Sequence, residues 1–278
     1  MNHGVIRSFP IIPLLLFCSC ASGPEPPRPG SPEFLWQAAQ KTFDAGDYAK
    51  ASDNLDRLAG SQNDYTARAQ AWRLVVTGGI AKGLIDMVDN FEAGMYANKA
   101  NMGPLRTQMD QYRSRADKQV LQFAETFLAF KKVQTGPTLE LAFEFPKGSP
   151  LPAPQLTNIA KGQLPGEADK ASAERLTLQR GVLMVASQVV GAPGDIAKAQ
   201  ETFRTVPVQV PRETYMYAMA TLLNEFSELY GPRKLSIPDR QKLLMEQAIE
   251  ALKGIPETKD SKKLLDTIQA DLKKVGKR

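Results

Sequence analysis

Gly46-Asp-Tyr-Ala-Lys-Ala-Ser-Asp-Asn-Leu55 and Gly194-Asp-Ile-Ala-Lys-Ala-Gln-Glu-Thr-Phe203 share five identities in ten positions. A match of that size is within reach of chance, so its weight lies in the shared role. In both stretches a helical pattern ends and Gly-Asp makes a turn. A small alanine then permits close helix approach, and a large apolar residue four positions on fills a core. Two such corners predict a fold built from helical hairpins.

Outward from these corners the pattern is helical nearly everywhere. Residues 34–45 and 47–59 form short amphipathic segments broken at Gly46-Asp47, and 64–98 continue with helical spacing relieved by Gly78-Gly79. Asn101 and Pro104 open a long helix to about Lys132. Its stripe of Met109, Tyr112, Ala116, Val120, Phe123, Phe127 and Phe130 runs in steps of three and four. Helical spacing resumes over Glu167–Val190, Asp195–Arg204, Arg212–Tyr230, Asp239–Lys253 and Lys259–Lys274. Residues 134–166 differ: Leu139, Leu141, Phe143 and Phe145 alternate, then prolines crowd from Pro146 to Pro165. They predict an extended insertion with one short strand or helical turn.

The two corners resemble the tetratricopeptide repeat, a helix–turn–helix unit of about 34 residues. In the first copy the family's small residue of helix A falls on Ala39, its helix B alanine on Ala51 and the next large apolar residue on Leu55. Leu35 and Trp36 flank the usual tryptophan position. The same places in the second copy are Ser187, Ala199 and Phe203, with the terminal proline at Pro211. Thr42 and Val190 stand where the family has tyrosine, Asn63 where the first copy would have proline, and two helices exceed a regular repeat. The resemblance implies an all-α, irregular helical-hairpin array with one proline-rich insertion; a plain helical bundle is the other reading. It also implies a concave partner-binding face, presenting Trp36, Gln40, Phe43 and Asp44. The seven-residue spacing of Trp36 and Phe43 equally fits a core stripe.

The N-terminus carries a different signal. Phe9-Pro-Ile-Ile-Pro-Leu-Leu-Leu-Phe17 is an apolar run behind a single arginine, Arg7, and ahead of Cys18-Ser-Cys20. A positive start, a short apolar run and a small residue before the cut describe a secretory signal. The cysteine placed directly after the cut is similar to the lipobox of bacterial lipoproteins, which makes Ser19–Cys20 the cleavage point and Cys20 the lipidated residue. Phe17 and Cys18 depart from that pattern, and an ordinary cleaved signal, cut at Ala21 or Ser22, is the alternative. Ala21 and Ser22 lack the aspartate that favours the inner membrane, so the resemblance implies the periplasmic face of the outer membrane. The predicted organisation is therefore a signal peptide over 1–19 and a lipidated cysteine with proline-rich tether over 20–33. Helical repeats follow over 34–133, the insertion over 134–166, and further repeats over 167–278, packed with the first set as one body. Five prolines between Ala21 and Pro32 keep the tether extended, on the order of 35 Å at about 3.1 Å per residue.

Composition narrows the chemistry. The single histidine, His3, precedes the predicted cut, and the only thiols are Cys18 and Cys20. Disulfides, zinc sites built on His or Cys, and Ser-His or Cys-His catalysis have no residues to use. There is no phosphate-binding glycine loop and no nucleophile elbow. Paired carboxylates remain open to counting, although Asp86, Asp89 and Glu92 read as an exposed helix face. Loss of Arg7 lowers the formal charge from +5 to +4, too small and scattered for a nucleic-acid footprint.

Three other features have two readings each. Gly79-x-x-x-Gly83 fits close helix packing or a ligand site. The stripe Tyr215, Met219, Leu222, Phe226 and Leu229, with Met216, Tyr217 and Ala220 around the helix, fits a sandwiched helix or a partner groove. The tail Lys273-Lys-Val-Gly-Lys-Arg278 complements a helix dipole or an anionic surface. The expected function is a membrane-anchored periplasmic scaffold, not an enzyme, which binds another protein and uses no cofactor or metal. The alternative is a ligand-handling lipoprotein subunit, similar to those that partner the substrate-binding proteins of tripartite transporters.

Overall fold

The computed structural model describes residues 26–133 and 136–276. The predicted signal, Ser19 and Cys20 lie outside them. Ten α-helices and one two-stranded sheet make up the described chain, so the protein is all-α in class.

Helix α1 (Pro32–Asp44) starts where Ser31 accepts a hydrogen bond from the Phe34 amide and Pro32 takes the first helical position. Pro32 and Glu33 therefore belong to the helix and not to the tether. Gly46, with φ +74°, turns the chain, and the Asp47 carboxylate caps α2 (Tyr48–Ala59) by accepting from the Lys50 amide at 3.3 Å. The second corner uses the same parts: Gly194 has φ +77°, and Asp195 accepts from the Lys198 amide at 3.0 Å to cap α7 (Ile196–Thr202). The shared residues thus specify one turn, a left-handed glycine followed by an aspartate cap.

Helix α3 (Thr66–Ala97) returns through a 3₁₀ turn into α4 (Met102–Lys132), which lies along it. The α4 stripe read from the sequence is buried throughout. Helix α3 is the hub, packing against α2, α4, α5, α6 and α8. Its low polarity on all sides follows from that position. It approaches α6 (Glu167–Val189) closely enough that a Cβ on Gly79 would stand 2.4 Å from the Val182 Cα, and one on Gly83 2.8 Å from the Thr177 carbonyl oxygen. The structure therefore places this glycine pair in a helix contact.

The insertion contains strand β1 (Thr138–Leu141) and helix α5 (Pro154–Ala160). β1 pairs antiparallel with β2 (Val208–Pro211), Leu139 opposite Val210 and Leu141 opposite Val208. All four of those side chains are buried, so the two-residue alternation carries one face of each strand into the core. β2 lay in a gap between two predicted helices. Four residues give too little periodicity to declare a strand, and its partner is far away in sequence.

After β2 come α8 (Arg212–Ser227), α9 (Pro238–Lys253) and α10 (Lys259–Leu272), the last opened by a Thr258–Ser261 capping box. α8 is sandwiched: Tyr215, Met216, Met219, Ala220, Leu222 and Phe226 are all buried, and α3, α4, α6 and α9 pack around it. The Tyr215 hydroxyl, enclosed in the core, donates to the Ala71 carbonyl at 2.6 Å. One continuous apolar cluster runs from α1 to α10.

Ala39, Ala51, Leu55, Ser187 and Ala199 are fully buried, and Phe203 nearly so. Overpacking such sites typically costs about 1–3 kcal/mol. Ala51→Leu and Ala199→Leu are each expected to lower the melting temperature by roughly 2–12 °C for a chain of this size. Thermal melts of the two variants check this; an unchanged Tm in either would show that the site has slack.

Candidate functional site: a proline strap across the helices

Phe143, just beyond β1, drives the insertion into the core. Its ring lies 4.8 Å from Trp36, 5.3 Å from Phe43 and 4.9 Å from Trp72, stacked on the last. From this root the chain runs as a strap, residues 144–153, over α2 and α6. The Tyr48 hydroxyl donates to the Lys147 carbonyl at 3.4 Å, and Gly148 sits against Gln179. Arg180 of α6 then holds the tip. Its Nε donates to the Pro150 carbonyl at 2.8 Å, while the other side of the guanidinium pairs with Asp86 of α3. Beyond the tip, α5 is anchored by Asn98 and Asn101, whose amides both donate to the Gly162 carbonyl.

Extended proline-rich backbone explains why the strap faces both ways. Pro146 and Ala153 are buried, whereas Ser149, Pro150, Leu151 and Pro152 are exposed. Leu151 is 72% exposed, the most open large aliphatic side chain among the described residues. Beside the root stands Asp44. Burial and then Glu144 raise its carboxyl above the ordinary range, with Lys147 acting against them. Asp44, Glu144, Lys147 and Leu151 thus mark one charged and apolar surface strip.

The structure divides the four residues expected on the partner face. Trp36 and Phe43 are core side chains, 9% and 2% exposed. They pack on the ring of Phe143. Gln40 and Asp44 are half-buried, and Asp44 faces the strap. Glu144, Lys147, Leu151 and Arg180 were not singled out from the sequence; the one signal available for the first three was their place in the proline-crowded segment. The acidic face of α3 is only partly as expected. Asp89 is exposed and pairs with Lys234 at 2.6 Å, and Glu92 is half-buried. Asp86 departs from the solvated reading, being half-buried and paired with Arg180 of α6.

Two further polar clasps lock α4. Tyr112 donates to Glu174 at 2.9 Å while Arg115 grips the same carboxylate with two nitrogens, at 2.8 and 2.6 Å. The hydrogen bonds from Arg115 hold the Glu174 carboxyl below its ordinary range. On the other side of α4, Asp117 accepts from Tyr230 at 2.9 Å and from Arg240. These carboxylates are committed to ion pairs, a structural use. Among the described residues no group of three or more His, Cys, Asp or Glu could hold a metal ion, and no helix is long and apolar enough to cross a membrane.

The surface also carries open clefts. One of about 360 Å³ is lined by Asn224, Tyr230, Ser236, Gln241, Met245 and Lys274. Another of about 270 Å³ lies between Glu213, Tyr217, Ile255 and Asp260. Comparison with protein-family models, with curated proteins and with solved structures found no match.

Proposed function

We propose that this chain is a non-enzymatic, lipid-anchored scaffold of the bacterial envelope that binds another protein through its helical surface. The observation that carries the reading is Cys20, which follows a short apolar run and precedes a proline-rich tether leading directly into a folded helical body. Cleavage after Ser19 would leave Cys20 as the acylated N-terminus, with the body held clear of the outer membrane's periplasmic face. An irregular tetratricopeptide-like array is the finer architecture. The shared Gly-Asp turns at Gly46 and Gly194 support it, as do the packed helix pairs α1–α2, α3–α4 and α8–α9.

A filled core supports the scaffold reading over the ligand-handling one. Trp72, Phe91, Phe123, Phe127, Tyr215 and Phe226 are all fully buried in one apolar cluster, and the clefts above are open and partly polar. The strip of Asp44, Glu144, Lys147 and Leu151 is the surface through which a protein partner would dock.

Acyl chains contribute about 0.8 kcal/mol per buried CH₂, so a multiply acylated Cys20 holds a protein stably on a membrane. The wild type is expected to incorporate palmitate and sediment with membranes, and Cys20→Ala to move to the soluble fraction. Affinity capture from the membrane fraction should then recover a partner that Leu151→Asp loses. An unlabelled, soluble wild type would remove the anchor, and capture unaffected by changes along the strip would remove the docking surface.

A further inference from the structure

The geometry points to an acid-opened latch: Asp86 holds Arg180, Arg180 holds the carbonyl of Pro150, and protonation of Asp86 frees the tip of the strap while its root stays seated. This concerns the chain's own motion and stands whether or not the body is a scaffold.

Arg180 joins three elements, α3 through Asp86, α6 through its own backbone, and the strap through Pro150. Ser149, Pro150, Leu151 and Pro152 have little other hold, being exposed. The charges facing Asp86 are few. Lys82 and Asp89 share its helix, with Lys82 paired to Glu225 of α8 at 2.9 Å and Asp89 paired to Lys234 at 2.6 Å. Arg180 comes from α6. With both neighbours on α3 already paired, Asp86 is the carboxylate on which Arg180 depends.

Burial acts on Asp86 more strongly than Arg180 and Lys82 do, and its carboxyl is raised above the ordinary aspartate value of 3.8. A folded-state pKa above the unfolded one means that the folded chain binds this proton more tightly. Through that window stability is gained as pH falls, not lost. Protonation of Asp86 by itself therefore costs the body no stability. The Arg180 guanidinium, partly exposed already, loses its counter-charge and can turn to water, leaving the Pro150 carbonyl without its donor.

The root responds in the opposite direction. Asp44 faces Glu144 across it, and Lys147 stands nearby. Protonating Asp44 removes a repulsion and tightens the attachment that Phe143 already makes. Motion is thus confined to residues 147–153, which display Leu151.

Backbone 15N relaxation of the isotope-labelled full-length chain tests the latch, with order parameters at Gly148, Ser149 and Leu151 followed as pH falls from neutral through the carboxylate range. Wild-type values at the tip are expected to drop from those of ordered backbone, about 0.85, to below about 0.6 in acid. Values in β1, α3 and α6 should hold. Asp86→Asn and Arg180→Gln should each give the loose tip at every pH, with Asp86→Asn no less heat-stable than wild type. Asp44→Asn should keep the acid response. The proposal is overturned if the wild-type tip values are independent of pH, if Asp86→Asn matches wild type at neutral pH, or if Asp44→Asn abolishes the response. Loosening that spreads into α3 and α6 would also overturn it, since that is unfolding and not a latch.

Discussion

Gly181→Ala is expected to destabilise the protein by about 3 kcal/mol or more, lowering Tm by roughly 6–12 °C. Alanine normally improves a helix interior by close to 1 kcal/mol relative to glycine, so the sign rests on contact. A Cβ at Gly181 would stand 2.1 Å from the Gly79 carbonyl oxygen and 2.9 Å from the Gly83 nitrogen. Both atoms are backbone, which cannot rotate aside as a side chain would. Helices α3 and α6 would have to separate, opening the most central contact of the hub. Gly103 provides the control: it lies in the first turn of α4 with nothing within 4 Å of its added Cβ. Gly103→Ala should leave stability unchanged or raise it by up to about 1 kcal/mol. Calorimetry on both variants decides the matter, and a Gly181→Ala protein as stable as wild type would show that the two helices do not meet at this distance.

Phe143→Ala should cost about 3–5 kcal/mol, the usual loss on truncating a buried phenylalanine. Its ring touches Trp36, Phe43 and Trp72, and it is the point where the insertion joins the main core. The chain has only two tryptophans, Trp36 and Trp72, and both lose this neighbour. Truncation should therefore shift intrinsic fluorescence to the red along with lowering Tm. Leu151→Ala, eight residues along the same strap, should fall within about 0.5 kcal/mol of wild type because its side chain is solvated. Equal effects at the two positions would contradict a strap rooted in the core and open at its tip.

Much of this molecule is written in short-range signals. The start of α4 near Asn101 and its end at Lys132, the capped starts of α2 and α7, and the buried α4 stripe follow from periodicity, caps and turn residues close together in sequence. The two corners, together with the repeat resemblance, pointed to Ala39, Ala51, Leu55, Ser187, Ala199 and Phe203 as packing residues, and each is buried. Cys20 and its expected processing were also local readings, and they lie outside the described residues.

Tertiary structure decided what those elements surround. Helix spacing placed Trp36 and Phe43 on one face of α1, but core or partner surface depended on where Phe143, about a hundred positions away, would lie. Asp86 read as solvated because nothing near it in sequence reveals Arg180, 94 positions on, which pairs with it in a half-buried site. β2 became a strand because β1 supplied a hydrogen-bonding edge, and Val208–Pro211 alone is too short to declare one. A helix turn or cap is settled by residues within one turn of each other. An ion pair, an aromatic stack or a strand pairing is settled by distance in space, and the chain encodes that only through the packing of the whole.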